Sequence, residues 1–155
     1  MDLGCSPGSW LLYAAELTGP KGFAAGLDLK PIKIQAPSHV RVLVGDVLED
    51  GSELLNSLEI KFDVVLSDMA PSTTGHKETD SFRSFELCGA ALELAENLLA
   101  PGGNFVCKIF QGAEFKEFSD RVAESFNSKK IFKPQSSRKG SKEIYVIGLG
   151  KKQEG

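Results

Sequence analysis

The strongest constraint in this chain is an alternation. Short, mostly apolar runs of strand length are separated by stretches with helical spacing. Residues 23–28, 40–44, 62–67, 104–109 and 143–148 read as strands, with 130–132 a weaker one. Runs that are apolar on both faces fit a parallel sheet buried under helices. Residues 8–18, 51–59, 80–99 and 113–126 read as the helices between them. The longest spaces Phe82, Phe85, Leu87, Ala91, Leu94 and Leu98 at a helical period, and Pro101-Gly102-Gly103 stops it. The next aligns Phe115, Phe118, Val122 and Phe126 on one face. All these apolar residues are expected in the core. The pattern predicts an α/β fold with right-handed crossovers, a mostly parallel doubly wound sheet.

At 155 residues the chain is sized for one domain. That domain is expected over residues 1–150, with 151–155 a frayed tail. Only Met1-Asp2-Leu3 stand in front of the first glycine turn. The first strand is therefore expected to be truncated, although strands at that point of such a sheet are central.

Composition excludes several classes. Hydrophobic residues make up 41% and charged ones 25%, an ordinary globular balance. No apolar run approaches the ~18 residues that span a bilayer, and no signal peptide is visible. The cysteines, Cys5, Cys88 and Cys107, are odd in number and form no CxxC pair. That argues against a disulfide framework or a zinc site, and for a cytoplasmic setting. The net charge of −3 is unevenly spread. Residues 1–128 hold 10 Lys/Arg against 19 Asp/Glu, whereas 129–155 hold 8 against 2. A basic block of this kind can neutralise phosphates, though the same block could be a solvated edge.

In a doubly wound sheet, ligands bind at the carboxyl ends of the strands. Gly4 to Trp10, Asp28, Asp46, Asp68 and Lys108 all fall there. Asp2-Leu3-Gly4-Cys5-Ser6-Pro7-Gly8-Ser9-Trp10 reads as a strand end, a tight turn and a helix start. It is neither the GxGxxG dinucleotide fingerprint nor a GxxxxGK[ST] phosphate loop. Asp28 lies 20 residues beyond Gly8, where an acid can accept both ribose hydroxyls of a nucleoside. Asp46, in Gly45-Asp46-Val47, could accept from an adenine amino group. Taken singly, each aspartate caps a turn in most proteins. Together they suggest a nucleoside without a phosphate requirement, and S-adenosylmethionine as the cofactor.

Four segments resemble one family. They are the glycine turn above, Ser67-Asp68-Met69-Ala70-Pro71-Ser72-Thr73-Thr74-Gly75, Lys108-Ile109-Phe110-Gln111-Gly112 and Ser137-Arg138-Lys139-Gly140-Ser141-Lys142-Glu143-Ile144-Tyr145. Their order and content are similar to the FtsJ/RrmJ family of RNA 2′-O-methyltransferases. The resemblance implies a Rossmann-like S-adenosylmethionine-dependent methyltransferase fold whose last strand runs antiparallel. It implies that Gly8, Trp10, Asp28, Asp46 and Asp68 contact S-adenosylmethionine. It also implies a catalytic set of Lys108 as proton acceptor, Asp68 to hold it and the cofactor, and Glu143 to orient the lysine or the ribose. The family's fourth member, a lysine upstream of the glycine turn, has no counterpart here, and the chain is expected to have lost that basic front. No metal is expected. The implied substrate is a uridine of large-subunit (23S) ribosomal RNA, with the large ribosomal subunit as partner and a monomeric enzyme. The alternatives are a transfer-RNA 2′-O-methyltransferase, or a module that binds cofactor and RNA with little turnover.

Overall fold

A computed structural model describes residues 1–136 and 138–153. Ser137, in the fourth motif, and Glu154 and Gly155, in the expected tail, lie outside the described residues. The elements in chain order are β1 (Asp2–Leu3), α1 (Ser9–Thr18), β2 (Ala24–Asp28), β3 (Val40–Val44), α2 (Gly51–Asn56), β4 (Phe62–Ser67), α3 (Lys77–Leu98), β5 (Leu99–Phe110), α4 (Phe115–Ser125), β6 (Phe126–Phe132) and β7 (Glu143–Lys151).

They form one seven-stranded sheet in the order β3-β2-β1-β4-β5-β7-β6. The β2–β3, β1–β2, β1–β4 and β4–β5 pairs are parallel. β7 is antiparallel to both neighbours. This is the mostly parallel, doubly wound sheet with an antiparallel last strand that the alternation and the resemblance lead one to expect. The order reverses between β1 and β4, and a reversal opens a crevice at the carboxyl edge.

The first strand is two residues long and lies between β2 and β4. Its ladder continues through single bonds at each end. The Met1 amino group donates to Val64 O at 2.9 Å, Leu66 N to Met1 O at 2.8 Å, and Gly4 N to Leu27 O at 2.8 Å. These satisfy backbone groups that would otherwise be buried and orphaned.

One core runs under α3. Leu3, Leu27, Val65, Phe105, Cys107 and Ile109 of the sheet meet Cys88, Ala91, Leu92, Ala95 and Leu98 of the helix. Two expected core residues behave differently. Phe82 is 50% exposed, because at the start of α3 Ser81 and Ser84 take the inward positions instead. Phe126 is buried but does not belong to a helix. It opens β6 and stacks on Phe105 with centroids 6.0 Å apart.

β5 starts at Leu99, earlier than its sequence suggests, and carries Pro101-Gly102-Gly103 inside it. A register shift against β4 between Phe62 and Val64 accommodates them. At the chain's other end, β7 extends through Lys151, which pairs with Phe126, and Lys152 N donates to Ser125 O at 3.0 Å. The Lys61 and Lys151 ammonium groups bond the last carbonyls of α3, the negative end of its dipole. No described helix is long and apolar enough to cross a membrane. Cys5, Cys88 and Cys107 are buried free thiols. Among the described residues no cluster of three His, Cys, Asp or Glu could hold a metal ion.

Candidate active site

Three strand ends bring three charged residues together. Asp68 follows the last residue of β4. Lys108 lies in β5 two residues before its end, and Glu143 opens β7. The Lys108 ammonium is 3.3 Å from Asp68 Oδ1 and 3.5 Å from Glu143 Oε1. Lys108 is only 8% exposed, so its charge is held between two carboxylates rather than by water. The antiparallel register explains the meeting. Lys108 faces Tyr145, and Phe110 faces Glu143, so all four side chains lie on one face of the sheet.

Sequence reasoning did not single out Tyr145. Its hydroxyl donates to Asp68 Oδ1 at 2.8 Å, and burial together with that carboxylate pushes its pKa well up. Its ring stacks on Trp10, with centroids 5.9 Å apart and planes 24° from parallel. The available signal was spacing, since Tyr145 is two residues from Glu143 on a strand and shares its face.

Two cavities flank this cluster. One, of about 610 Å³, is lined by Gly4, Ser6, Asp28, Asp46, Asp68 and Leu87 among others. The other is a groove of about 1160 Å³ lined by Lys77, Arg138, Lys139, Lys142, Glu143 and Tyr145 among others. Asp68 is thus a wall of the first and Glu143 a wall of the second, with the Lys108 ammonium between them.

The acids of the first cavity have local partners. Asp28 Oδ2 accepts Ser6 N at 2.9 Å and Oδ1 accepts Lys30 N at 2.8 Å, so it ties the glycine turn to β2. Asp46 Oδ1 accepts Leu48 N at 2.8 Å. Each carboxylate oxygen keeps acceptor capacity for a second donor. The glycine turn is left-handed at Gly4 (φ 76°) and at Gly8 (φ 123°), conformations that favour glycine. Gly8 is the residue before α1 and packs near Ile32 and Ile34. Neither Gly8 nor Trp10 lines the cavity that holds the three aspartates. α1 turns Trp10 toward Tyr145 and toward a separate apolar hollow of about 620 Å³.

A fourth acid was also missed. Asp2, inside the first motif, is 1% exposed and neither carboxylate oxygen has a hydrogen-bond partner. Burial pushes its pKa up to about 7. An acid in a two-residue strand between apolar neighbours was the signal.

An open, mostly parallel sheet with an acid-lined crevice at the point where its strand order reverses is the Rossmann-like fold of S-adenosylmethionine-dependent methyltransferases. The chain belongs to the FtsJ-like methyltransferase family, whose sequence model matches residues 1–151. A relative from Desulforapulum autotrophicum, named ribosomal RNA large subunit methyltransferase E, is 60% identical over 152 residues. That match covers 98% of this chain and 75% of the relative. The Bdellovibrio bacteriovorus protein of the same name is 41% identical over 155 residues, covering 98% and 79%. Among solved structures, one described as a ribosomal RNA methyltransferase of Plasmodium falciparum has a TM-score of 0.82 at 25% identity. It covers 97% of this chain and 84% of that one. Human methyltransferase-like protein 13, solved in complex with SAH, has a TM-score of 0.68 at 13% identity over 96% of this chain and 69% of its own, a likeness of fold alone.

Proposed function

We propose that this chain transfers a methyl group from S-adenosylmethionine to a ribose 2′-hydroxyl of large-subunit ribosomal RNA, on a uridine. The observation that carries the reading is the buried Lys108 ammonium set between Asp68 and Glu143, with a different cavity behind each acid. The acid-lined cavity fits a nucleoside cofactor. Its carboxylates retain acceptor sites for ribose hydroxyls and an amino group, and the left-handed turn at Gly4 brings Gly4, Ser6 and Pro7 to its wall. Asp28 and Asp46 would hold the nucleoside and Asp68 the cationic end. Trp10 would act at one remove, by bracing Tyr145.

When bound, the cofactor supplies a methyl group on a positively charged sulfur. The chain's own residues do the rest. Lys77, Arg138, Lys139 and Lys142 give the second cavity the charge that a phosphate backbone requires. Glu143 orients the lysine or the incoming ribose. Lys108, once its ammonium has released a proton to solvent, accepts the proton of the hydroxyl as a neutral amine, and Asp68 fixes the lysine while it does so. Holding hydroxyl and methyl in line supplies much of the rate. The relatives' names support ribosomal RNA as the substrate. The single domain, a monomer in the cytoplasm, works without a metal.

The test is methyl transfer from labelled cofactor to large ribosomal particles and, in parallel, to transfer RNA. Label in the ribosomal RNA ribose is expected. Label confined to transfer RNA overturns the choice of substrate. Lys108→Ala is expected to abolish transfer while cofactor affinity stays within about threefold; an active variant overturns the proton-acceptor role.

A further inference from the structure

Asp80 is the first acid of α3's opening turn to be fully buried, at 1% exposed. It is not an ordinary cap. Its carboxylate reaches out of the helix to three groups of the preceding loop. Oδ1 accepts Thr74 N at 2.8 Å and Thr74 Oγ1 at 2.9 Å, and Oδ2 accepts Gly75 N at 3.3 Å. Oδ2 also lies 3.5 Å from the Lys142 ammonium. These contacts hold the carboxyl below its ordinary range, the Thr74 amide chief among them.

Lys142 is fixed on its other sides as well. Its ammonium sits 4.5 Å from the centroid of the Phe110 ring, and its carbonyl accepts Gln111 N at 2.7 Å. Phe110 is the end of β5, two residues beyond Lys108, and Lys142 immediately precedes Glu143. Thr73, Gly75 and Lys77 line one stretch of the basic groove, and Arg138 to Lys142 line another. Asp80 is bonded to both.

We infer that Asp80 is a positioning residue which, through Thr74, Gly75 and Lys142, clamps the two walls of the basic groove at the width that seats the RNA strand. The inference rests on the proposed RNA reaction. The clamp touches neither the reacting atoms nor the acid-lined cavity. It acts on how the polynucleotide is received, and leaves cofactor binding alone. A carboxylate serving only to tie down the loop before α3 would need Thr74 and Gly75 but not the cation of Lys142.

Asp80→Asn and Lys142→Met are the informative variants. The asparagine keeps an acceptor for the Thr74 groups but loses the charge that holds the ammonium. Both are assayed with large ribosomal particles, reading KM, kcat, the Kd for the particle RNA and the cofactor Kd. Asp80→Asn is expected to raise KM and RNA Kd about tenfold, with kcat within threefold and cofactor Kd within twofold, and Lys142→Met, which also strips a charge the groove offers to RNA, is expected to raise KM and RNA Kd at least as much. The double variant is expected to be no worse than the worse single one, because both remove the same contact. An Asp80→Asn protein with unchanged KM and RNA Kd overturns the inference. So does one whose kcat and cofactor affinity fall together, since that is a collapse of the fold near the site. If the parent binds large ribosomal particles but transfers no methyl to them, the proposed reaction fails and the RNA Kd values still decide the clamp. If the parent binds no RNA, both fail.

Discussion

Tyr145 and Lys108 converge on one atom. The tyrosine hydroxyl donates to Asp68 Oδ1 at 2.8 Å, and the lysine ammonium lies 3.3 Å from the same oxygen. The two residues are also directly opposed across the β5–β7 ladder. Asp68 is therefore oriented from two sides, and the lysine's position depends on a hydroxyl that carries no charge. Tyr145→Phe leaves the ring on Trp10 and deletes only that hydrogen bond. About 1.4 kcal/mol lost from the transition state is tenfold in rate, and a bond to a charged group is worth roughly that or more. Methyl transfer by the phenylalanine variant is expected to fall about tenfold in kcat, with the melting temperature lowered by only a few degrees. Steady-state kinetics beside thermal denaturation checks it; an unchanged kcat would show that Lys108 alone sets Asp68.

Asp28 bonds the turn and the strand end at once, through Ser6 N and Lys30 N. Asp28→Ala frees both amides and removes the acceptor proposed for the cofactor ribose. Losing hydrogen bonds to an ionised group costs ~1.5–3 kcal/mol. Cofactor Kd by calorimetry is expected to weaken about 10- to 100-fold, with KM for RNA measured at saturating cofactor little changed. Equal losses on both sides would mean that the turn, and not a cofactor contact, is what Asp28 supplies.

Much of this site was legible because strand ends are legible. Residues 40–44 and 62–67 are apolar runs with abrupt polar ends, and each is a strand with the expected bounds. Asp68 and Lys108 could be placed at the sheet's carboxyl edge from that alone. What was not legible depends on rotation about an element's axis. Trp10 adjoins the glycine turn in sequence, yet one helical step carries it away from Asp28 and Asp46 toward Tyr145. Phe126 continues a helical apolar spacing and equally well begins a strand, and only the Phe105 ring beneath it decides between them. Asp80 looked like any acid in a first turn, because its partner Lys142 is 62 residues away and nothing local announces it.

Packing around Phe126 can be tested at a position that carries no chemistry. A Cβ built on Gly148 would lie 2.6 Å from two atoms of the Phe126 ring. Gly148 pairs with Phe105 on one side and Lys129 on the other, so β7 cannot shift without breaking two ladders. Overpacking of this kind costs about 1–3 kcal/mol. Gly148→Ala is expected to lower Tm by about 2–4 °C for each kcal/mol lost in a domain of this size, with activity retained below the transition. Differential scanning calorimetry measures it. An unchanged Tm would mean the Phe126 ring moves freely, contrary to its stacking on Phe105.

Asp2 gives the fold a pH dependence of unusual sign. Burial raises its pKa from 3.8 to about 7. Between those values the folded chain holds a proton that the unfolded chain has released. The associated stability is fully present below pH 3.8 and is lost as pH rises through about 7. The Met1 amino group is lowered from 8.0 to about 6 by burial, so the unfolded chain holds more protons between those values and stability rises there. The two effects oppose each other from pH 6 to 7, which leaves pH 4–6 as the window in which Asp2 can be read alone against Met1. Asp80 and Asp120, with lowered pKa values, lose stability as pH falls, and do so equally in parent and variant. The difference between the parent and Asp2→Asn is therefore the measurement. The stability of the variant relative to the parent is expected to increase steadily from pH 4 to pH 6, by an amount on the order of 1–3 kcal/mol. Urea unfolding at half-unit pH steps would give it. A difference that stays flat across the window would mean that Asp2 is ionised in the fold and holds a partner there.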